Sequence, residues 1–301
     1  MTTTVTDPPV STTAALLADA TRLGGVELTI TDLARSLDFY TRVIGLSVHE
    51  RGDRHAALGA GGEDIVTLRA DPAARPPGRH AGLYHVALLF PTREELARAG
   101  ARVAATRTRI DGASDHGTHE AIYLPDPDGI GLELAADRPR ERWPDLSGAE
   151  FVAHGPQPLD VGALFATIDA EWPGTGGEAP SAPAAAGLRI GHLHLHVGDL
   201  DASTRFYRDG LGFEVKTTMP TASFVSAGGY HHHVAYNLWR GGGVGPAPDG
   251  VVGLRHWTLE CAGQAELEAV RARLATLGVP FEPRDGGTFA RDPSRIAVLI
   301  R

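Results

Sequence analysis

The sequence contains an internal repeat, and this repeat restricts the fold more than any other feature. Residues 24–48 (GGVELTITDLARSLDFYTRVIGLSV) align without a gap with residues 191–215 (GHLHLHVGDLDASTRFYRDGLGFEV). Both segments begin with the alternation typical of a half-buried strand and continue with apolar positions at helical spacing. Each then reaches a glycine, Gly45 or Gly212, that predicts the end of the helix before another strand. The chain is therefore predicted to contain at least two copies of one strand–helix–strand unit.

Two weaker copies of this unit begin at residues 84–88 (YHVAL) and 255–259 (RHWTL). Each is followed by a helical stretch, REELARAGARV in the first case and QAELEAVRARLATLG in the second, and then by further strand-like segments. We therefore predict four modules, each with one strand, one helix and three more strands. The predicted fold class is α+β. Because 301 residues is about twice the usual size of a domain, we expect two domains of two modules each.

The domain boundaries follow from the spacing of the four copies. We predict a loosely ordered tail over residues 1–21, a first domain over 22–137, a linker over 138–187 and a second domain over 188–301. The second half of the linker, GTGGEAPSAPAAAG, is rich in glycine, proline, alanine and serine, a composition typical of flexible connections.

Histidine is unusually frequent in this chain, with 14 residues against one cysteine and two methionines. Histidine is the commonest protein metal ligand and the usual general base near neutral pH. A single cysteine excludes an internal disulfide framework. The 28 basic and 37 acidic residues give a formal charge of −9, which argues against binding to nucleic acid or to an anionic membrane. The chain shows neither a signal peptide nor a stretch of about 18 apolar residues, so we expect a cytoplasmic protein.

Four longer strings are more specific than the composition. They are GLYHVALLFPTREELA (82–97), GASDHGTHEAIYLPDPDGIGLELAADRP (112–139), IGHLHLHVGDL (190–200) and FVSAGGYHHHVAYNLW (224–239). Through these strings the chain resembles the vicinal oxygen chelate superfamily, and within it the two-domain catechol 2,3-dioxygenase-like branch. The resemblance implies βαβββ modules whose pairs close into cup-shaped mixed sheets, with a divalent metal, usually Fe(II) in the dioxygenases, on the floor of the cup. It also implies a small aromatic substrate and O2 as reaction partners.

The resemblance places metal ligands on the first and last strands of paired modules. In chain order, the first strands carry Gly25, His85, His192 and His256, and the last strands carry a residue near Thr67, Glu133, His233 and Ala297. A facial triad on Fe(II) needs two histidines and one carboxylate, and neither sequential pair of modules supplies this set. We therefore predict that the second and third modules share one cup, with His85, His192 and Glu133 as ligands. Fe(II) is the expected metal, and Mn, Ni and Zn are the other candidates.

The resemblance implies further roles close to these ligands. Tyr123 lies ten residues before Glu133, the spacing at which extradiol dioxygenases carry a tyrosine that hydrogen-bonds a substrate oxygen. The Asp-Pro-Asp-Gly turn between the two residues lets both side chains face one cup. His116 lies in a region that helps to bind the substrate hydroxyl. The histidines expected to contact substrate are His119, His194, His196 and His231.

The run of His231, His232 and His233 occupies the place where the dioxygenases carry their acid–base histidine. As a strand, this run would present His231 and His233 on one face and His232 on the other. We expect His233 to carry protons, taking the second diol proton and later returning it to the intermediate. Coordination of the metal by His233 as a fourth ligand is the alternative.

Three functions are compatible with these residues. The leading one is an Fe(II)-dependent extradiol dioxygenase that acts on a catechol-like substrate. A glyoxalase-type metal-dependent isomerase would follow if His233 were a fourth ligand. A non-catalytic small-molecule binding or resistance protein would use the same cup as a receptor. Exposed edge strands also make a homodimer an open alternative.

Overall fold

The computed structural model describes residues 16–145, 155–172 and 182–301. Its strands are β1 (Arg22–Ile30), β2 (Ser47–Arg51), β3 (His55–Gly59), β4 (Asp64–Ala70), β5 (Gly82–Phe90), β6 (Gly112–Asp115), β7 (His119–Pro125), β8 (Gly131–Asp137), β9 (Gln157–Pro158), β10 (Arg189–His196), β11 (Glu214–Met219), β12 (Ala222–Ser226), β13 (Val234–Asn237), β14 (Gly253–Glu260), β15 (Phe281–Arg284), β16 (Gly287–Arg291) and β17 (Ala297–Ile300). Its α-helices are α1 (Leu33–Phe39), α2 (Arg93–Ala105), α3 (Val161–Phe165), α4 (Leu200–Thr204) and α5 (Gln264–Thr276). The predicted α+β class and the four βαβββ modules are confirmed.

The two copies of the internal repeat fold in the same way. The helices α1 and α4 begin at Asp32 and Asp199, whose side chains accept a hydrogen bond from a first-turn backbone N–H. Both helices widen into a π-helical turn and end at a glycine with positive φ, 94° at Gly45 and 99° at Gly212. The predicted glycine stops are thus confirmed, because this backbone conformation favours glycine. None of the helices in the described part of the chain is long and apolar enough to cross a membrane.

The strands form two mixed sheets, and each sheet combines one module from each half of the chain. Modules one and four build an eight-stranded sheet in the order β15-β16-β17-β14-β1-β4-β3-β2. Modules two and three, joined at one edge by β9, build a nine-stranded sheet in the order β11-β12-β13-β10-β5-β8-β7-β6-β9. The prediction that modules two and three combine is confirmed. In each sheet the two first strands pair antiparallel at the centre, β1 with β14 and β5 with β10.

Short segments in front of each half cross over and bind the other half. The N–H of Leu17, which precedes module one, donates to the carbonyl of Gly212 in module three over 2.8 Å. The N–H of Ala184, which precedes module three, donates to the carbonyl of Gly45 in module one, also over 2.8 Å. Leu17 and Ala184 occupy equivalent positions of the repeat, as do the two glycines. The two halves therefore exchange their leading segments reciprocally.

The predicted domain boundaries remain a prediction. The predicted loose tail and flexible linker fall partly on residues 1–15, 146–154 and 173–181, which lie outside the described residues. Within the described parts of these segments, Leu17 is buried, and β9 and α3 are regular elements.

A buried tyrosine ties the two modules of each half together. Tyr40 at the end of α1 donates to Asp126 in the β7–β8 turn over 3.2 Å, and Tyr207 after α4 donates to Asp292 before β17 over 3.0 Å. Burial raises the pKa of the Asp126 carboxyl to about 6 and that of the Asp292 carboxyl to about 7. Each aspartate also accepts backbone N–H groups of its own turn, so it organises the turn as well as the contact.

Candidate metal centre and substrate cavity

The nine-stranded sheet brings the three predicted ligands to one place. His85 lies on β5, Glu133 on β8 and His192 on β10, and the Nε2 atoms of both histidines lie 3.0 Å from Glu133 Oε2. The candidate ligand atoms of all three residues lie within 4.8 Å of one another. The register explains this convergence, because Ala87 pairs with Glu133 on one side and with His192 on the other.

The charge on Glu133 is stabilised by the surrounding histidines. Glu133 is only 1% exposed, and His119 Nε2 lies 3.0 Å from its second oxygen, Oε1. Burial alone would raise the pKa of Glu133, but the charge interaction with His192 and the hydrogen bonds from His119, His192 and His85 hold it well below the ordinary value. Burial in turn lowers the pKa of His192. An ionised carboxylate beside unprotonated imidazole is the state that metal ligands require, so this donor set fits a divalent metal.

A cavity of about 500 Å³ opens above these ligands. Its wall combines the ligands with rings and apolar side chains, among them Tyr84, His116, His119, Tyr123, His194, Met219, Phe224, His232 and Trp239. Tyr84 and Trp239 are 42% and 52% exposed and stand edge to face with ring centroids 5.4 Å apart. The two rings therefore mark the mouth of the cavity.

Tyr123 and His116 form a hydrogen-bonded pair in the cavity wall. His116 Nε2 lies 2.7 Å from the Tyr123 hydroxyl. Burial lowers the pKa of His116 to about 3, so its ring is neutral near neutral pH. Burial and the negative charge of Glu133 raise the pKa of Tyr123, so the phenol keeps its proton. Neutral His116 can therefore hold the hydroxyl in place without ionising it.

The three consecutive histidines lie in different environments from those expected. His232 lines the cavity, with its ring centroid 4.2 Å from that of His192. His231 lies behind it, stacked on His119 at 4.6 Å. His233 lines a separate cavity of about 360 Å³, and its Nδ1 accepts the N–H of Ala227 over 3.1 Å.

The geometry therefore does not support His233 as the proton carrier, nor His231 as a direct substrate contact. The reason is local. β13 begins only at Val234, and residues 231–233 form a bend, so strand alternation does not apply to them. His232, which the alternation placed on the wrong face, is the member of the run that reaches the cavity.

The remaining predicted substrate contacts divide into two groups. His116, His119 and His194 line the cavity. The Nε2 atom of His194 is buried without a hydrogen-bond partner among the described residues, which leaves it available to a ligand. His196 instead bonds Asn237 over 2.8 Å and packs against Tyr84, and it is not a wall residue.

The central strands of the eight-stranded sheet carry different side chains from those of the nine-stranded sheet. Its first-strand histidine, His256, faces Glu27 across the β1–β14 pair. Glu27 is bound by two guanidinium groups, Arg69 at 2.9 Å and Arg255 at 2.7 Å. Among the described residues, every histidine and carboxylate cluster compact enough for a metal ion lies around the nine-stranded sheet.

Sequence reasoning missed Tyr84 and Trp239 as well as the role of His232. Tyr84 precedes His85, and regular alternation would place it on the opposite face. A register shift between β5 and β10 at this point, where His194 pairs with His85 but Leu195 pairs with Leu83, lets both side chains reach the cavity. No signal in the sequence marks this irregularity.

Comparisons with known proteins show the family of the chain and its fold. The model of the Glyoxalase/Bleomycin resistance protein/Dioxygenase superfamily matches residues 22–134 and 189–299. A catechol-2,3-dioxygenase from Bacillus subtilis (strain 168) is 38% identical over 278 residues, which cover 91% of this chain and 94% of the relative.

Solved structures share the fold at low sequence identity. A proposed dioxygenase from Bacillus subtilis superposes with a TM-score of 0.64 at 15% identity, covering 95% of this chain and 85% of the other. Glyoxalase I from Zea mays superposes with a TM-score of 0.56 at 18% identity, covering 93% and 92%.

Proposed function

Because the chain belongs to the Glyoxalase/Bleomycin resistance protein/Dioxygenase superfamily, we propose that it is a metal-dependent extradiol dioxygenase that cleaves a catechol-like diol with O2. The observation that carries the proposal is the buried set of His85, Glu133 and His192 at a cavity lined with aromatic rings. Two histidines and one carboxylate form the set typical of non-haem Fe(II) oxygenases. The similarity to a catechol-2,3-dioxygenase supports the same reaction.

Fe(II) is the metal that we propose for this centre, with Mn, Ni and Zn as alternatives. His85, His192 and Glu133 would hold it. When bound, the metal would lower the pKa of a diol hydroxyl and so favour the ionised diol that reacts with O2.

The other cavity residues supply binding and proton handling. We propose His232, rather than His233, as the proton carrier, because it lines the cavity beside His192. Tyr123, held by His116, would donate a hydrogen bond to a substrate oxygen as charge develops there.

The apolar part of the wall sets the class of substrate. Met219, Phe224 and Trp239 offer flat or flexible apolar surface opposite the polar floor. A single aromatic ring with two adjacent hydroxyls would place its ring against these side chains and its oxygens toward the ligands. A small aromatic diol is therefore the substrate class that we propose.

The proposal is tested by loading the purified protein with Fe(II) under anaerobic conditions and then adding catechol and air. A yellow ring-fission product and uptake of O2 are expected. Glu133→Ala and His192→Ala should bind little iron and form no product while keeping the wild-type circular dichroism spectrum. His256→Ala is the matched control, because it removes the first-strand histidine of the other sheet and should retain both properties. Full iron content in Glu133→Ala would contradict the ligand assignment.

A glyoxalase-type isomerase is the second candidate, because His192, His231 and His232 bring further nitrogen atoms within 4.8 Å of one another. His232 would then act as a fourth ligand in place of His233. Activity with redox-inert Ni or Zn, without O2 uptake, would favour this function. Tight binding of an aromatic ligand without metal or turnover would instead indicate a binding protein. A homodimer and a cytoplasmic location remain predictions.

A further inference from the structure

We propose that Asp137 is a positioning residue that sets, through His231, which ring nitrogen of His232 carries the proton. Asp137 ends β8, four residues after Glu133, and it borders the separate cavity behind the metal centre rather than the substrate cavity. The tautomer of His232 follows from hydrogen-bond geometry alone. Its use in catalysis rests on the proposed dioxygenase function.

The hydrogen bonds that link Asp137, His231 and His232 have defined donors and acceptors. A carboxylate only accepts hydrogen bonds, and Asp137 Oδ1 lies 3.3 Å from His231 Nε2, so this nitrogen carries the hydrogen. A neutral imidazole with a proton on Nε2 has an unprotonated Nδ1. The Nδ1 atoms of His231 and His232 lie 2.8 Å apart, and one of them must donate. His232 is therefore the donor, with its proton on Nδ1.

Neighbouring side chains hold the Asp137 carboxylate and the His231 ring in place. The Tyr230 hydroxyl lies 3.1 Å from Asp137 Oδ1 and 3.0 Å from Oδ2, which fixes the carboxylate. The His231 ring stacks on His119 with the ring centroids 4.6 Å apart, and it also contacts the tilted ring of Tyr230 at 4.0 Å. Only 2% of His231 is exposed, so water does not compete for either of its nitrogens.

The tautomer of His232 determines which of its nitrogens can accept a proton in the substrate cavity. With its proton on Nδ1, His232 presents an unprotonated Nε2, and this nitrogen bonds no other described residue. Neutral imidazole in water prefers the opposite tautomer, with the proton on Nε2, so the protein has to impose the one found here. An unprotonated nitrogen next to the metal ligands is ready to accept a diol proton, which the commoner tautomer could not do. The third residue in such a chain fixes the tautomer in other enzymes in the same way.

The tautomer can be measured in the full-length, metal-free protein labelled with ¹⁵N-histidine. Two-bond ¹⁵N–¹H couplings report which nitrogen is protonated, and the His232 signals are those lost in His232→Gln. We expect an Nδ1–H tautomer in the wild type. In Asp137→Asn the side-chain amide can donate as well as accept, so it no longer fixes which His231 nitrogen carries the hydrogen. In His231→Phe the stacking ring remains but both hydrogen bonds are lost. The Nε2–H tautomer of His232 should therefore become populated in both variants. An Nε2–H tautomer in the wild type, or an unchanged tautomer in either variant, would overturn the proposal.

Kinetics of the iron-loaded enzyme give the second measurement. Asp137→Asn is expected to lower kcat for catechol about 10- to 100-fold with little change in KM, as losses of residues behind a metal site typically do. Asp292→Asn is the matched control, because that buried aspartate also accepts a tyrosine hydroxyl but belongs to module four, and its kcat should match the wild type. Equal kcat in Asp137→Asn and wild type would exclude the catalytic role. A wild type without ring cleavage would refute the proposed function, whereas the couplings would still decide the tautomer.

Discussion

Replacing Asp292 with asparagine should remove a measurable part of the pH dependence of stability. The carboxyl group is 3% exposed, accepts the N–H of Ile296 over 2.8 Å and accepts the hydroxyl of Tyr207 over 3.0 Å. Burial raises its pKa from the ordinary 3.8 to about 7, because the hydrogen bonds only partly offset the loss of water around the charge.

The raised pKa determines whether the free energy of unfolding rises or falls with pH. A group whose pKa is higher in the folded than in the unfolded protein stabilises the fold at low pH, and that contribution is lost as the pH rises through the folded value. For Asp292 the loss spans the interval from 3.8 to about 7. Between about pH 5.5 and about pH 8 this corresponds to about 2 kcal/mol of unfolding free energy, at about 1.4 kcal/mol per pH unit. Asparagine cannot ionise, so this loss of unfolding free energy with rising pH is absent from the variant.

The measurement is urea unfolding of metal-free wild type and Asp292→Asn at these two pH values. The stability of the variant relative to wild type should improve by about 2 kcal/mol from the lower to the higher pH. Asp126→Asn, the equivalent change in the other half, is the internal comparison. Its carboxyl pKa is about 6, so its shift should be smaller, about 1 kcal/mol. Parallel pH curves for wild type and Asp292→Asn would refute the reasoning.

Three further changes test the metal centre and the cavity. His119→Phe keeps the ring stack but removes the contact to Glu133 Oε1, so the affinity for metal, measured by competition with a chelator, should fall about 10- to 100-fold. Gly131→Ala would press a methyl group against the Tyr84 carbonyl and move β8 away from β5; metal content should drop, whereas Gly242→Ala, with open space around it, should leave it unchanged. Trp239→Ala removes one ring of the cavity mouth, so KM for catechol should rise with little change in metal content.

The sequence was sufficient to predict the pairing of modules, because chemistry constrained it. Only modules two and three together supply two histidines and a carboxylate, and the sheets combine them in this way. The individual roles around the centre were less predictable. The prediction of His233 rested on the resemblance and on strand alternation, but a bend precedes β13, and backbone irregularities of this kind depend on packing rather than on a local pattern. Tyr84 was missed for a related reason, since it reaches the cavity through a register shift in β5.

The pairing of modules from opposite halves of the chain also affects how the chain can fold during synthesis. When the first half leaves the ribosome, β1 and β5 each lack the neighbour on one side that the second half provides. Such unpaired strands attract other chains, and contacts between residues far apart in sequence form slowly. Glu133 and His85 are made early, but His192 follows only after the linker. The metal centre is therefore completed late, and a bound metal would report that the two halves have found each other.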